Sequence, residues 1–238
     1  MPERALFALV FAAIAGGLGV AGSQGGLLWL AFWPALSFAL LGAAYAGVGP
    51  GLLGKRKDGT RAWWALLLFG PLFLLLGLIW QIQRRLVREA CSHRVAEGLW
   101  LGRRPYLAEL PSEVRLVVDL TSEFPAAAGI TRHCDYLAIP TLDGLAPEAS
   151  QLQELVALLR DHPGPVLLHC AMGRGRSALV AAAVLLARRI ANDPRGAESL
   201  LQSIRPGVRL SAPQRRLLRQ WSGGWAQSKE GGIAPPSS

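Results

Sequence analysis

Acidic side chains are scarce in this 238-residue chain: 16 stand against 25 basic ones, for a net charge of +9, and only 17% of residues are charged at all. Cysteine is scarcer still. Cys91, Cys134 and Cys170 are odd in number, scattered and without metal-ligand spacing. That excludes a disulfide framework and a zinc site, and no metal or other cofactor is called for. Cys134 reads most simply as a buried strand cysteine, with a redox partnership to Cys170 as the alternative. Aromatic and basic residues do not interleave, so nucleic acid is not the expected partner. Anionic lipid or phosphate suits the positive balance better. Internal repeats are absent, and the sequence carries no signal for an oligomeric state.

Charge is missing altogether from three stretches, residues 5–22, 26–48 and 62–82. Each approaches the ~20 residues that span a bilayer. Trp29, Trp33, Trp63, Trp64 and Trp80 lie mostly toward the segment ends, where an interfacial belt would put them. The first stretch has little charge before it and a second apolar run directly after it, which fits a retained membrane hairpin better than a cleaved signal. Gly70-Pro71 is expected to kink the third segment or turn it back. Residues 1–83 thus read as membrane helices, 84–93 as a basic juxtamembrane linker, 94–225 as a soluble domain and 226–238 as a disordered Gly/Pro/Ser-rich tail. Between residues 5 and 82 the only His, Cys or carboxylate is Asp58. The N-terminal segments are therefore expected to anchor the protein without building a site, and a fragment beginning near Arg94 to fold and work alone.

In the soluble part, apolar runs at 99–102, 114–120, 135–140 and 166–169 read as strands. Residues 152–160, 178–190, 194–203 and 213–221 read as helices. This alternation predicts an α/β fold with a largely parallel sheet. Its most specific feature is His169-Cys170-Ala171-Met172-Gly173-Arg174-Gly175-Arg176-Ser177. A strand delivers a tight loop, and a helix follows. Backbone N–H groups of residues 171–176 and the helix N-terminus then converge on one anion site. A phosphate there meets Cys170 from below and a bidentate Arg176 from the side. The same field favours the Cys170 thiolate.

The segment resembles the signature loop of the cysteine-dependent protein tyrosine phosphatase superfamily, His-Cys-x-x-Gly-x-x-Arg-Ser/Thr, at every fixed position. Rhodanese-like sulfur carriers also hold a cysteine in an anion loop, but the five-residue gap to arginine and the following serine fit the phosphatases. Leu99-Trp100-Leu101-Gly102, residues 117–121, residues 136–143 and Ser203-Ile204-Arg205-Pro206 with residues 211–214 resemble successive parts of dual-specificity phosphatases. The implied fold is a dual-specificity-phosphatase-like α/β sheet flanked by helices, preceded by an all-α transmembrane region.

The resemblance implies a phosphocysteine intermediate on Cys170. Arg176 and the loop N–H groups (Ala171, Met172, Gly173, Arg174, Gly175) would hold the phosphate. Ser177 would ease departure of the sulfur, and His169 would order the loop. A general acid must come from a separate loop. Asp143 fits, after a strand-end proline and before Gly144. Glu148 serves if that loop is arranged differently, whereas Asp135 and Asp161 read as strand and turn residues. The implied substrate is a phosphorylated protein or, as the alternative, a phospholipid head group. Arg174 matches a basic position of phosphoinositide and phosphatidylglycerophosphate phosphatases, but their lysine after the cysteine is here Ala171. A third possibility is a catalytically silent phosphate-binding module. The protein is expected to be an integral, multi-pass partner of the lipid bilayer with its catalytic domain on the cytosolic face.

Overall fold

A computed structural model describes residues 2–230. The chain divides into two compact units, one comprising Met1–Ala90 and Asp119–Asp143, the other Cys91–Val118 and Gly144–Ser238. The first unit contains the helices α1 (Pro2–Ser23), α2 (Phe32–Ala43) and α3 (Trp63–Leu86). Three helical stretches, Glu3–Ser23, Gly26–Val48 and Trp63–Leu86, are long and apolar enough to cross a membrane. Phe7 and Phe11 of α1 pack against Tyr45 in tilted ring pairs at centroid distances of 5.0 and 5.4 Å, which sets the start of α1 beside the end of α2. Past α2 the chain takes one π-helical turn, Ala44–Val48, and breaks at Gly47, where φ is 139°.

Pro71 does not turn α3 back, contrary to one of the two outcomes expected of Gly70-Pro71: the helix runs through it. Proline has no N–H to give the carbonyl four residues earlier. That carbonyl belongs to Leu67, and the Trp33 indole Nε1–H donates to it at 2.6 Å. The Ser37 hydroxyl donates to the neighbouring Leu68 carbonyl, also at 2.6 Å. The Trp33 side chain of α2 thus supplies the donor the proline withholds.

In the segment between α2 and α3, Lys55 is buried within the first unit. The Lys55 ammonium donates to Asp119 Oδ2 at 2.6 Å and to the carbonyl and hydroxyl of Thr121 at 2.7 and 2.9 Å. Both side chains of the ion pair are fully buried. Burial pulls the Lys55 pKa below its usual range, against the opposing attraction of Asp119. Asp119 also accepts from the Thr121 N–H and hydroxyl and from the Tyr136 hydroxyl. Two backbone bonds extend the contact, Ala138 N–H to Lys57 C=O at 3.0 Å and Ala126 N–H to Gly59 C=O at 2.9 Å. Residues ahead of α3 are therefore packed against residues 119–138 within the first unit.

The strands are β1 (Ser92–Ala96), β2 (Leu99–Arg103), β3 (Leu116–Thr121), β4 (Asp135–Thr141) and β5 (Val166–Cys170), in the sheet order β1-β2-β5-β3-β4. β1 is antiparallel to β2, and β2 is parallel to β5. The residues of β1 lie partly in the stretch read from sequence as linker. Helices α4 (Ile130–His133), α5 (Ala149–Arg160), α6 (Arg176–Ala187), α7 (Pro194–Ile204) and α8 (Ala212–Glu230) complete the fold. α6 is buried nearly all round, as its unbroken Ala/Val/Leu content requires. α7 starts where Asp193 accepts the N–H groups of Arg195 and Gly196 and Pro194 takes the first helical position. α8 continues to Glu230, into the stretch expected to be a disordered tail, whose residues 231–238 lie outside the described residues.

Removing one partner of a buried ion pair costs about 3–5 kcal/mol, because the other charge stays buried and uncompensated. Lys55→Met should therefore lower the unfolding free energy of the full-length protein by about that much. Lys55→Met/Asp119→Asn should recover part of the loss in a denaturant-based double-mutant cycle.

Candidate active site

Every residue of β5 is buried, and the strand ends at Cys170, which is 4% exposed. Residues 171–175 form the loop, and α6 opens with Arg176 and Ser177, both buried. Each carbonyl of the loop is taken by a donor. The Arg104 N–H donates to Ala171 C=O at 3.3 Å, the Arg209 N–H to Arg174 C=O at 2.9 Å, and the Leu179 N–H to Gly175 C=O at 2.8 Å. The guanidinium of Arg205 covers the other two, Nη2 donating to Met172 C=O and Nε to Gly173 C=O, both at 3.1 Å. A carbonyl and the next residue's N–H share one planar trans peptide and point in opposite directions. Fixing the carbonyls of residues 171–175 therefore turns the N–H groups of residues 172–176 the other way. One of these, Gly173 N–H, donates to Cys170 Sγ at 3.3 Å. The Ser177 hydroxyl donates to the same sulfur, also at 3.3 Å. Cys170 Sγ thus receives one main-chain and one side-chain hydrogen bond at the start of α6.

Two details explain why the sequence folds this way. Gly173 has φ +70°, and a Cβ there would run into the backbone of Gly102. Only glycine meets both demands. Arg205 is fully buried, and its Nη1 reaches His93 Nδ1 on β1 at 3.0 Å. His169 is buried too, with Nδ1 at 3.4 Å from the Cys170 carbonyl.

The structure thus brings together His169, Cys170, the loop 171–175, Arg176 and Ser177 within the second unit. Asp143 is the last residue of the first unit and is exposed just past β4. Its carbonyl accepts from the Tyr45 hydroxyl at 2.9 Å. Of the other acids, Asp135 is the exposed first residue of β4, and Glu148 is the N-cap of α5. Asp161 is ion-paired with Arg160 at 2.5 Å. Cys134 follows α4 with its thiol donating to Ile130 C=O at 3.6 Å, and burial pushes its pKa up. Cys91 is half-buried, its thiol directed at Arg103 C=O at 3.7 Å. Sequence reasoning missed Arg205 as a structural member of the loop, and it missed Gln214. The buried Gln214 amide donates to Leu145 C=O at 2.8 Å and accepts from Ser211 N–H at 2.9 Å. Its Oε1 lies 3.1 Å from where a Cβ on Gly175 would be. Gln214 therefore links the loop to the residues following Asp143-Gly144.

A family model described as "Swiss Army Knife protein, DSP-PTPase phosphatase domain" matches residues 104–222. The chain belongs to this family. It is a cysteine-dependent phosphatase of the dual-specificity/tyrosine phosphatase superfamily. No curated protein sequence matches it. Among solved structures it resembles Tk-PTP in its active form, at 26% identity and a TM-score of 0.51 over 56% of this chain and 97% of the other. A substituted human DUSP28 is similar at 23% identity and a TM-score of 0.52 over 58% of this chain and 97% of its own. PTPMT1 in complex with PI(5)P is similar at 23% and 0.50 over 58% and 99%. The last two likenesses speak for the fold.

Arg205→Met would leave the buried Gly173 carbonyl and the part-buried Met172 carbonyl without this donor, at about 1–3 kcal/mol for the buried one. The loop should loosen, and vanadate affinity should fall well before global unfolding becomes measurable. Equilibrium vanadate titration beside thermal unfolding checks this.

Proposed function

We propose that this protein is a membrane-anchored phosphomonoesterase that works through a phosphocysteine, with phosphorylated protein as its substrate. The observation that carries the reading is the loop whose five carbonyls are bound outward while Gly173 N–H and the Ser177 hydroxyl both face Cys170 Sγ. The Cys170 thiolate attacks phosphorus, a sulfur–phosphorus bond forms, and the bond to the leaving oxygen breaks. Asp143 gives that oxygen its proton. Arg176 and the loop N–H groups neutralise the transferring phosphoryl group. Water then attacks the phosphocysteine and returns a proton to Asp143, while the Ser177 hydroxyl stabilises the departing thiolate. His169 supports the loop and transfers no proton.

A second reading, a phospholipid head-group phosphatase, is favoured by Arg174 in the loop and by the apolar helices, which would hold the site at a bilayer. PTPMT1, solved with PI(5)P, shares the fold. Rates on phosphopeptides and on vesicle-embedded phosphatidylinositol phosphates and phosphatidylglycerophosphate, measured side by side, decide between the two.

The cytosolic face is the proposed side for the catalytic domain. Lys55 and Lys57, ahead of α3, touch Asp119 and Ala138, while Trp80, near its end, packs on Phe124 at 5.8 Å. The stretch leading into α3 and the last turns of α3 thus both meet residues 119–138, which favours the two flanks of α3 lying on one side of the bilayer. Arg4, Lys55, Arg56, Lys57, Arg61, Arg84, Arg85 and Arg88 then share that side, as the positive-inside rule requires of a cytosolic face. Topology reporters inserted at Asp58 and fused after Ser238 should both report the cytosol, and opposite sides would overturn this orientation.

For the chemistry, Cys170→Ser should abolish turnover and retain vanadate binding. Asp143→Ala should depress turnover ~100-fold or more on phenyl phosphate, the usual scale for a general acid. The loss on 4-nitrophenyl phosphate should be much smaller, since that leaving group departs without a proton. An equal loss on both substrates would move the role to Glu148.

A further inference from the structure

The first unit contains one contact with a consequence for the chemistry. The Tyr45 hydroxyl donates to the main-chain carbonyl of Asp143 at 2.9 Å. Tyr45 is 5% exposed and sits in the turn that ends α2. Phe7 and Phe11 hold its ring from α1, at 5.0 and 5.4 Å. Two aromatic neighbours leave the phenol little freedom to swing away. The carbonyl it binds shares a peptide plane with the N–H of Gly144, whose φ is +75°. Fixing that plane fixes the backbone on the C-terminal side of Asp143, and with it the origin from which the carboxyl projects.

We infer that Tyr45 is a positioning residue for the general acid, so that the two N-terminal helices tune protonation of the leaving group. The inference rests on Asp143 being that acid. It also revises the expectation that residues 5–82 have nothing to offer the reaction, because the contribution comes from a phenol and not from a carboxylate, histidine or cysteine. The helices act on Asp143 through its main chain and leave its side chain to the substrate. A lid or loop carrying an acid gains from such a tether, since a small misplacement of a proton donor costs rate disproportionately. Conditions that part α1 from α2, such as a changed bilayer thickness or a delipidated micelle, would act on turnover through the same hydroxyl.

The test uses the full-length protein in lipid vesicles, with phenyl phosphate and 4-nitrophenyl phosphate as substrates. Tyr45→Phe removes the hydroxyl and keeps the aromatic packing, and retained turnover of 4-nitrophenyl phosphate certifies that the variant is folded. Expected is a drop in kcat of about 2- to 10-fold on phenyl phosphate, the scale of one hydrogen bond. KM should be unchanged, and the effect on 4-nitrophenyl phosphate small. In an Asp143→Ala background, adding Tyr45→Phe should cost nothing more, because the group being positioned is gone. Equal losses on the two substrates, no loss on phenyl phosphate, or a fully additive double variant would each overturn the role of Tyr45 while leaving Asp143 as the acid. An Asp143→Ala variant without a leaving-group-dependent defect would overturn the acid assignment itself, and the positioning role with it.

Discussion

The loop after β5 depends on five carbonyls being held from outside. A short loop that offers all its N–H groups to one side is unfavourable in isolation, because its carbonyls crowd the other side and each must find a donor or stay wet. Here β2's exit, α6, the stretch ahead of α8 and the guanidinium of Arg205 supply those donors. The loop's conformation is therefore fixed by groups outside it. A loop held in this way is set during folding and needs little rearrangement afterwards, the kind of preorganisation on which electrostatic catalysis depends. The sulfur of Cys170 receives two hydrogen bonds of the kind a thiolate needs.

The buried Lys55–Asp119 pair plays a comparable part in the first unit. Two opposite charges with fully buried side chains persist because their remaining hydrogen-bonding capacity is used: Lys55 reaches Thr121 twice, and Asp119 accepts from Thr121 and Tyr136. Such a pair adds less to net stability than apolar residues of the same volume would, but it fixes a register. The register fixed here is that of the segment between α2 and α3 against the residues that lead to Asp143. Lys57 and Gly59 add backbone bonds to the same alignment.

What the sequence discloses is what is local. The strand, loop and helix around Cys170 follow from an apolar run, two glycines and an Ala/Leu-rich stretch, and all of these lie within about twenty residues. The three apolar segments are equally plain, since continuous hydropathy needs no partner to be recognised. The rest is set by contacts distant in sequence. Arg205 reads as part of a closing helix until it is seen over Met172 and Gly173. Lys55 reads as one more basic loop residue until it is found buried. A hint was available in Asp119, an acid inside an apolar strand that must have a cation somewhere. β1 was hidden because its residues alternate too weakly to separate from a basic linker. Pro71 misled in part, because proline's effect on a helix depends on whether a neighbour accepts the orphaned carbonyl.

That last feature bears on how the N-terminal helices find one another. A helix with a complete ladder of backbone bonds can pair with many apolar surfaces, since it asks nothing of them but shape. α3 asks for more: it exposes one carbonyl, that of Leu67, to whichever helix can bring a donor to that height. The indole of Trp33 answers it, and Ser37, one turn along, answers the next. In surroundings poor in water an unanswered carbonyl is costly, so a wrong partner or a slipped alignment is penalised where a correct one is neutral. The proline therefore works as an address, selecting α2 and one depth along it in a chain whose apolar helices would otherwise be interchangeable.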